Sequence, residues 1–319
     1  MERVSLRLSE YQVRIRFVRG GRLSSHIGVT LRGGFGAALR HIACVQSQQV
    51  SCSQCILQGS CPYGYMFETP VAEGQAVMKL YTHAPHPFVI RSPLDVSPRV
   101  AEGTEVDLGV VLMGRAHGYF PYVLLALQHL GERGLGAERV PFRVERVVAG
   151  TNERVVYPAE AGRPVPLVTP ETVQASLRPP RECALMVHFL TPLRLRVENR
   201  VLTQPDFGAL VSASLRRLEL LTRVHDAGRF ELNAAEIARA ARQVQVASDR
   251  TRWHDVVRYS RRQEREMPLG GLVGEAVFMG EVGSLVEILS LAGRVHVGKG
   301  TAFGHGHFRV EEVSDGPTS

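Results

Sequence analysis

Two stretches that end in the same motif indicate how this chain folds: GERGLGAERVPFRVERV at residues 131–147 and VGKGTAFGHGHFRVEEV at residues 297–313. In both, glycines spaced two to four residues apart precede the pattern FRVExV. Apolar and charged residues alternate in that pattern, as they do in a half-buried strand. A motif that recurs once in a chain of 319 residues indicates an internal duplication.

Hydrophobic periodicity predicts the same order of elements in both halves. In the first half we predict strands at 11–19, 77–91, 107–115 and 142–148, with helices at 31–45 and 120–130. In the second half we predict strands at 184–196, 271–280 and 308–313, with helices at 207–225, 232–244 and near 282–293. The order β-α-β-β-α-β, repeated with an extra helix, predicts an α+β protein of two tandem ferredoxin-like domains.

A proline-rich stretch, YPAEAGRPVPLVTPETVQASLRPP, separates the two halves. We predict that it forms a linker at 157–180. The N-terminal domain then covers 1–156, with a cysteine-rich insertion at 44–61. The C-terminal domain covers 181–319, with a glycine-rich loop at 298–306.

The composition is that of a globular protein, because 44% of the residues are hydrophobic and 22% are charged. This excludes wholesale disorder. No apolar run approaches the ~18 residues that cross a bilayer, and the first residues lack the apolar core of a signal peptide. We therefore expect a soluble, unexported protein of the cytoplasm.

The charge balance points to an acidic partner. The chain has 38 basic and 31 acidic residues, a net charge of +7, and Lys79 and Lys299 are its only lysines. A GC-rich genome would favour arginine codons, but arginine also suits bidentate contacts to phosphate. Eight arginines fall within residues 1–40 and six within 250–265. These two basic segments would form one groove only if the fold brings them together.

Six segments in a fixed order carry a family resemblance: LRGGFGAALRHIAC, the C-x2-C-x5-CPYGYMFE run, GLGAERVPFRVERV, WHDVVRYSRRQ, GGLVG and HVGKGTAFGHGHFRV. Together they resemble the CRISPR repeat-processing endoribonucleases of the RAMP superfamily, the sixth Cas family, in its cysteine-containing branch. The resemblance implies two RAMP-type (RRM-like) ferredoxin-like domains that bind a CRISPR repeat RNA and cut it once. It also implies products with a 2′,3′-cyclic phosphate and a 5′-hydroxyl.

Cleavage of RNA without a bound metal uses the substrate's own 2′-hydroxyl, so the protein needs a base, an acid and a cation. Histidine suits both proton roles. His41 ends the first predicted helix beside Arg40, where the family often places its catalytic histidine, and His26 precedes that helix. The helix would separate the two histidines by about 20 Å, so we expect either one to act rather than both. Because the chain has so few lysines, we expect Arg22, Arg32 or Arg40 to supply the cation.

Two further segments are candidates for RNA contact. In the glycine-rich loop, Gly298, Gly300, Gly304 and Gly306 would let backbone N–H groups approach phosphates, and Lys299 adds a charge. The alternative is that these glycines only make a tight turn. The stretch WHDVVRYSRRQ mixes aromatic residues with Arg258, Arg261 and Arg262, which suits base stacking and phosphate pairing. Its alternative is a solvated basic strand with a packed Trp253.

Four of the five cysteines fall close together, at Cys44, Cys52, Cys55 and Cys61. In a cytosolic chain such a cluster favours metal over disulfides. Four thiolates would close a tetrahedral structural zinc site, although their spacing also leaves an iron–sulfur cluster or no metal open. Such a site would staple the loop after the first helix and would not cut RNA.

A second function shares the fold and the arginines. The chain would then be a non-catalytic subunit that holds the repeat RNA inside a larger ribonucleoprotein with other Cas proteins. Only the role of the histidines separates this alternative from an endoribonuclease.

Overall fold

The structure is a computed structural model that describes residues 2–24, 26–46, 50–69, 84–150, 152–158, 168–260 and 265–313. It divides into two compact units. The amino-terminal unit comprises Arg7–Glu171 and Val224–Asp226, and the carboxy-terminal unit comprises Met1–Leu6, Thr172–Arg223 and Ala227–Ser319. Among the described residues, no helix combines the length and the apolar character that crossing a membrane requires.

The elements of the first half form one main sheet covered by helices. In chain order they are β1 (Arg3–Phe17), β2 (Gly21–Arg22), α1 (Ile27–Ala43), α2 (Pro62–Glu68), β3 (Phe88–Arg91), β4 (Arg99–Val100), β5 (Glu105–Met113), α3 (Phe120–Arg133), β6 (Phe142–Ala149) and β7 (Arg154–Tyr157). The sheet order is β3-β5-β1-β6-β7, with every neighbouring pair antiparallel. Chain order β1-α1-β3-β5-α3-β6 with this sheet order is the ferredoxin-like arrangement.

The core of the amino-terminal unit follows from the alternation of β1 and the apolar stripe of α1. On β1, Val13, Ile15 and Phe17 are buried, while the residues between them face solvent more. On α1, the buried stripe includes Leu31 and Phe35. Burial of such side chains stabilises the fold by about 1.5–3 kcal/mol each. This core therefore fixes α1 on the sheet.

The second half repeats the arrangement. Its elements are β8 (Glu171–Ser176), β9 (Cys183–Leu193), β10 (Arg196–Val197), β11 (Arg200–Val201), α4 (Phe207–His225), α5 (Ala234–Ala241), β12 (Gln245–His254), β13 (Val257–Ser260), β14 (Arg265–Pro268), β15 (Gly271–Gly280), α6 (Val286–Val295) and β16 (Phe308–Val313). The main sheet has the order β12-β15-β9-β16. The chain order β9-α4-β12-β15-α6-β16 is again ferredoxin-like. The predicted α+β class with two ferredoxin-like arrangements is confirmed.

Several predicted elements match the structure closely, and others differ for a physical reason. The predicted helix at 207–225 and the strands at 271–280 and 308–313 have the bounds of α4, β15 and β16. Strand β12 was not predicted, because most of its residues are exposed and it therefore lacks an apolar alternation. The predicted strand at 77–91 is observed only as β3, and residues 77–83 lie outside the described residues.

The stretch predicted as a linker contains a strand. Within residues 157–180, β8 pairs with β1, and residues 159–167 lie outside the described residues. The backbone N–H of Leu177 also donates to the carbonyl oxygen of Glu2 at 2.9 Å. The first residues of the chain are thus held by backbone pairing with 171–177, and they count with the carboxy-terminal unit.

The two recurring motifs occupy corresponding places in the two halves. The first runs from the end of α3 into β6, and the second starts two residues after α6 and runs into β16. A Cβ on Gly131 would lie 2.3 Å from the carbonyl oxygen of Phe142, and a Cβ on Gly293 would lie 2.2 Å from that of Phe308. In both halves, only glycine lets the helix approach the start of the strand so closely.

Candidate active site

Helix α1 carries both candidate catalytic histidines, at opposite ends. His26 is the residue before the helix, and its backbone N–H donates to the side-chain oxygen of Ser24 at 3.3 Å. His41 lies in the last turn. Fifteen helical residues span about 22 Å, so the structure does not bring these two histidines into one site.

The imidazole of His41 is exposed and stacks on a second imidazole. The ring centroids of His41 and His129 are 4.8 Å apart, and their planes differ by 7°. His129 belongs to α3, which packs beside α1 in the same unit. The sequence analysis did not select His129, because periodicity places it on a helix without showing which turn of α1 it meets.

Arg40 and Arg32 both lie over aromatic rings of α2. The guanidinium carbon of Arg40 is 5.6 Å from the ring centroid of Tyr63, and that of Arg32 is 4.7 Å from the centroid of Phe67. Tyr63 and Phe67 stack on each other with centroids 5.1 Å apart. Contacts of this kind orient a guanidinium group. The aromatic residues of the CPYGYMFE run therefore position the arginines, a role that the sequence analysis missed.

The two arginines differ in how firmly they are held. The Nη2 atom of Arg32 is also 3.1 Å from Nε2 of His86, whose Nδ1 is 3.1 Å from the carbonyl oxygen of Met66. Arg40 is half-buried beside the exposed His41. Burial raises the pKa of the Tyr63 phenol, so this ring stays neutral at ordinary pH. Of the two, Arg40 lies nearer to the candidate catalytic histidine in the chain.

Half of the arginines in residues 1–40 are engaged by carboxylates. Arg14 binds Asp107 with both guanidinium arms at 2.9 Å, and Arg16 binds Glu105. The ion pairs in this segment are those of Arg3 with Glu231, Arg7 with Asp226, Arg14 with Asp107 and Arg16 with Glu105. The positive charge that this segment offers a partner is therefore smaller than the sequence count indicates.

Arg22 remains exposed on the short strand β2. It lies opposite Arg99 of β4, and its backbone N–H donates to Oε2 of Glu138 at 2.8 Å. The exposed side chains of Arg22 and Arg99 thus form a small basic surface in the amino-terminal unit.

The glycine-rich loop connects α6 to β16 and is held by backbone hydrogen bonds to residues 192–194. Gly298, Gly300, Gly304 and Gly306 all have positive φ angles. The amides of Lys299 and Gly306 donate to the carbonyls of Arg194 and Pro192 at 3.1 and 3.0 Å. These amides are engaged within the protein, whereas the side chain of Lys299 is exposed. The charged side chain of Lys299 is therefore more accessible to a phosphate than these two amides are.

The aromatic and arginine-rich stretch falls on a strand and a hairpin. Trp253 is the penultimate residue of β12 and is half-buried. Its indole N–H donates to Oδ1 of Asp255 at 2.8 Å, and the guanidinium carbon of Arg194 lies 5.6 Å from its ring centroid. Arg258 lies on β13 in register with Met267 of β14. Arg261 and Arg262 lie outside the described residues. Their predicted contact with RNA stays a prediction.

The four clustered cysteines surround the facing ends of α1 and α2. Cys44 follows α1 and Cys61 precedes α2, and the thiol of Cys61 is 4.0 Å from the carbonyl oxygen of Ala43. Burial raises the pKa of the Cys52 thiol, and the nearby charges of Glu68, Cys44 and Cys61 act in the same direction. All four, Cys44, Cys52, Cys55 and Cys61, are free and half-buried.

The zinc predicted at these cysteines stays a prediction. Within the described part of the chain, no group of three or more histidine, cysteine, aspartate or glutamate side chains could hold a metal ion. The structure therefore gives no support to the predicted zinc. The four cysteines are close in sequence, but a zinc site also requires their sulfur atoms to converge in a tetrahedral arrangement.

Family models match most of the chain. Residues 6–170 match the model described as AF_1859_N, N-terminal domain. Residues 187–308 match the model of the CRISPR-associated endoribonuclease Cas6. No curated protein matches the chain.

Solved structures with the same fold are Cas6 proteins. A Cas6 product complex has a TM-score of 0.55 and 20% identity, covering 94% of this chain and 99% of that chain. Thermus thermophilus Cas6 has a TM-score of 0.53 and 16% identity, covering 96% and 99%. A partial Cas6-RT-Cas1–Cas2 complex has a TM-score of 0.55 and 14% identity, covering 97% of this chain and 46% of that chain.

The fold and the matches together define a protein of the double ferredoxin-like class to which Cas6 proteins belong. The C-terminal match runs from within β9 to the first residue of β16 and includes the glycine-rich loop. Residues 187–308 belong to the CRISPR-associated Cas6 endoribonuclease family by their match to its model. The family resemblance seen in the sequence is confirmed.

Proposed function

We propose that this protein cuts CRISPR precursor RNA within the repeat, with the RNA's own 2′-hydroxyl as nucleophile and His41 as a proton-transfer residue. The observation that carries the proposal is an exposed imidazole on the last turn of α1 in a chain whose residues 187–308 match the Cas6 endoribonuclease family. His26, at the other end of α1, is the competing candidate.

The reaction exchanges one phosphate ester for another. The 2′-oxygen attacks the adjacent phosphorus, the bond from phosphorus to the 5′-oxygen of the next nucleotide breaks, and a 2′,3′-cyclic phosphate forms. A base takes the proton of the 2′-hydroxyl, and an acid gives a proton to the departing 5′-oxygen. The exposed imidazole of His41 can serve at either oxygen. This chemistry requires no nucleophile from the protein.

The phosphate gains negative charge during the attack, and a cation beside it lowers the barrier. Arg40 is the candidate for this role, because it adjoins His41 and its guanidinium is held over the ring of Tyr63. The carboxyl end of a helix also favours positive charge. Arg32 is less available, since its guanidinium already contacts Phe67 and His86.

RNA binding would draw on cations of both units. The exposed side chains of Arg22 and Lys299 would contact phosphates, and Arg258, Arg261 and Arg262 are further candidates. The similar structures include Cas6 product complexes and a complex with Cas1–Cas2. We propose repeat RNA as the substrate of this chain and other Cas proteins as its partners.

The test uses RNA transcripts of the CRISPR repeats of the source genome, in the presence of EDTA. We expect cleavage of the all-ribose RNA and none of an RNA with 2′-deoxyribose at the cut position. His41→Ala should lower the cleavage rate by at least about a thousandfold while binding changes little, because proton transfer contributes about 10²–10⁴-fold and its geometry is lost as well.

His26→Ala is the matched control, since it removes a histidine from the other end of the same helix. Full activity of His41→Ala with loss in His26→Ala would move the site to the start of α1. Tight binding without cutting by the unmodified protein would instead favour the non-catalytic RNA-binding subunit.

A further inference from the structure

Helix α3 presents a second imidazole that lies flat against that of His41. We propose that His129 fixes the orientation of the His41 ring and is thereby a positioning residue for RNA cleavage. This inference rests on the proposed role of His41 in the reaction.

The geometry of the two rings is that of an offset aromatic stack. Their centroids are 4.8 Å apart and their planes differ by only 7°. A histidine on the solvent side of a helix end would otherwise exchange among several side-chain rotamers. The ring of His129 sterically excludes the rotamers of His41 that would place the imidazole in the same space.

His129 is the better anchored of the two. Its side chain is 24% exposed, and its Nδ1 atom lies 3.9 Å from Oε2 of Glu132, one turn along α3. The same ring faces the His41 imidazole across the contact between α3 and α1. The stack thus joins a partly buried ring on α3 to an exposed ring on α1, and the exposed ring is the one that RNA can reach.

Close packing of the two helices keeps this contact in place. A Cβ on Gly34 of α1 would lie 2.5 Å from Cδ1 of Leu130 on α3. Leu130 is the residue after His129, so the backbone of α3 is held against α1 beside the stacked ring. The spacing of the rings therefore follows from the core and does not depend on bound RNA.

Orientation of the imidazole matters because proton transfer needs a hydrogen bond to the reacting oxygen, and a misplacement of 1 Å can cost about a hundredfold in rate. His129→Ala should therefore lower kcat about ten- to a hundredfold and leave the affinity for repeat RNA unchanged. His129→Phe keeps a flat ring of similar size and should retain kcat within about threefold. His129→Leu fills the volume without a flat ring and should behave as His129→Ala does.

The control is His117→Ala, a half-buried histidine of the same unit whose Nδ1 is 2.9 Å from the carbonyl of Gly114. It should change kcat little. Single-turnover cleavage, repeat-RNA binding and thermal melting are measured for every variant beside His41→Ala. If His129→Ala is too unstable to assay, the comparison of His129→Phe with His129→Leu decides.

The outcomes separate this inference from the proposed function. Loss of activity in His41→Ala with wild-type kcat in His129→Ala or His129→Leu would overturn the role of His129 alone. Undiminished activity in His41→Ala would overturn the proposed site itself. In the RNA-free protein, a nuclear Overhauser effect between the two imidazole rings supports the stack, and its absence would overturn it.

Discussion

The connections from α3 to β6 and from α6 to β16 begin alike and end alike, yet they differ in the middle. Both start at a glycine that a helix packs against the first carbonyl of the next strand, Gly131 on Phe142 and Gly293 on Phe308. The first connection then turns through Gly134 at a φ of 80°. The second turns through His296 at a φ of 60° and has four more residues before its strand.

A buried histidine with positive φ is unusual, and it costs about 1–3 kcal/mol in backbone strain. In the second connection, contacts offset that cost: the ring of His296 stacks on that of His307 at 4.8 Å, and its Nδ1 is 3.0 Å from the carbonyl of His305. The comparison shows that glycines in both halves allow a helix to pack closely against the next strand. The four additional residues of the second connection, and the exposed Lys299 within it, have no counterpart in the first.

The largest expected effect comes from adding a methyl group where the two connections close. A Cβ on Gly306 would lie 1.8 Å from the carbonyl oxygen of Val297, and one on Gly134 would lie 2.1 Å from that of Arg139. Both glycines also have positive φ. Gly306→Ala and Gly134→Ala should each destabilise the protein by about 4 kcal/mol or prevent folding, as measured by chemical denaturation.

Gly118→Ala is the control, because a Cβ there would meet no atom within 4 Å. Its midpoint of unfolding should stay close to that of the wild type. A wild-type midpoint for Gly306→Ala or Gly134→Ala would mean that the connection does not close as described.

The next effect is a loss of stability at alkaline pH, which should differ between the two units. Burial raises the pKa of both Tyr11 and Tyr65, in the amino-terminal unit, to about 12. In the unfolded chain a tyrosine titrates near 10. Between pH 10 and 12 the unfolded chain therefore loses protons that the folded unit keeps, and stability falls as the pH rises. The loss should be on the order of 2 kcal/mol for each tyrosine.

Hydrogen exchange measured at rising pH should detect this loss in the amino-terminal unit first, since residues 172–319 contain a single tyrosine, Tyr259. Tyr11→Phe keeps the stack on Phe120, whose ring centroid is 3.9 Å away, and should remove part of the pH dependence. Equal loss of protection in both units would contradict this explanation.

A smaller effect concerns Lys299, the exposed cation of the second connection. Lys299→Ala should weaken binding of repeat RNA about three- to tenfold and lower the salt dependence by about one phosphate contact. Arg139→Asn makes the matching change in the first connection, with a residue that tolerates the φ of 50° found there. If both variants bind alike in a salt titration, the second connection has no special role in RNA binding.

The smallest effect is expected at the cysteines. Cys55 is free and half-buried, and the described residues contain no group able to hold a metal. Cys55→Ser should therefore change stability by less than about 1 kcal/mol. Elemental analysis that finds one zinc per chain, together with a large drop in melting temperature, would instead support the prediction made from the cysteine spacing.

The sequence predicted elements well where apolar periodicity is strong. Helix α4 and strands β15 and β16 have the predicted bounds, since each has one face in the core. Strand β12 escaped prediction because backbone pairing with β15 holds it while most of its side chains face solvent. Strand β8 was hidden in a proline-rich stretch for a similar reason, because its pairing with β1 is a long-range contact.

The candidate site could be predicted only as a set of residue types. The sequence selected His41 and Arg40 as neighbours, but it could not show that His129 stacks on one and Tyr63 lies beneath the other. Those contacts depend on which turns of α1, α2 and α3 meet. In the same way, a count of arginines could not show that Arg14 and Arg16 are already paired with carboxylates.

The most direct test of the central claim is the chemical identity of the new ends on cleaved repeat RNA, measured by mass spectrometry after a reaction in EDTA. We expect a 2′,3′-cyclic phosphate on the upstream product and a hydroxyl on the 5′ end of the downstream product, with neither formed by His41→Ala. A 3′-hydroxyl paired with a 5′-phosphate would contradict the account, because that outcome requires water to attack in place of the RNA's own 2′-oxygen.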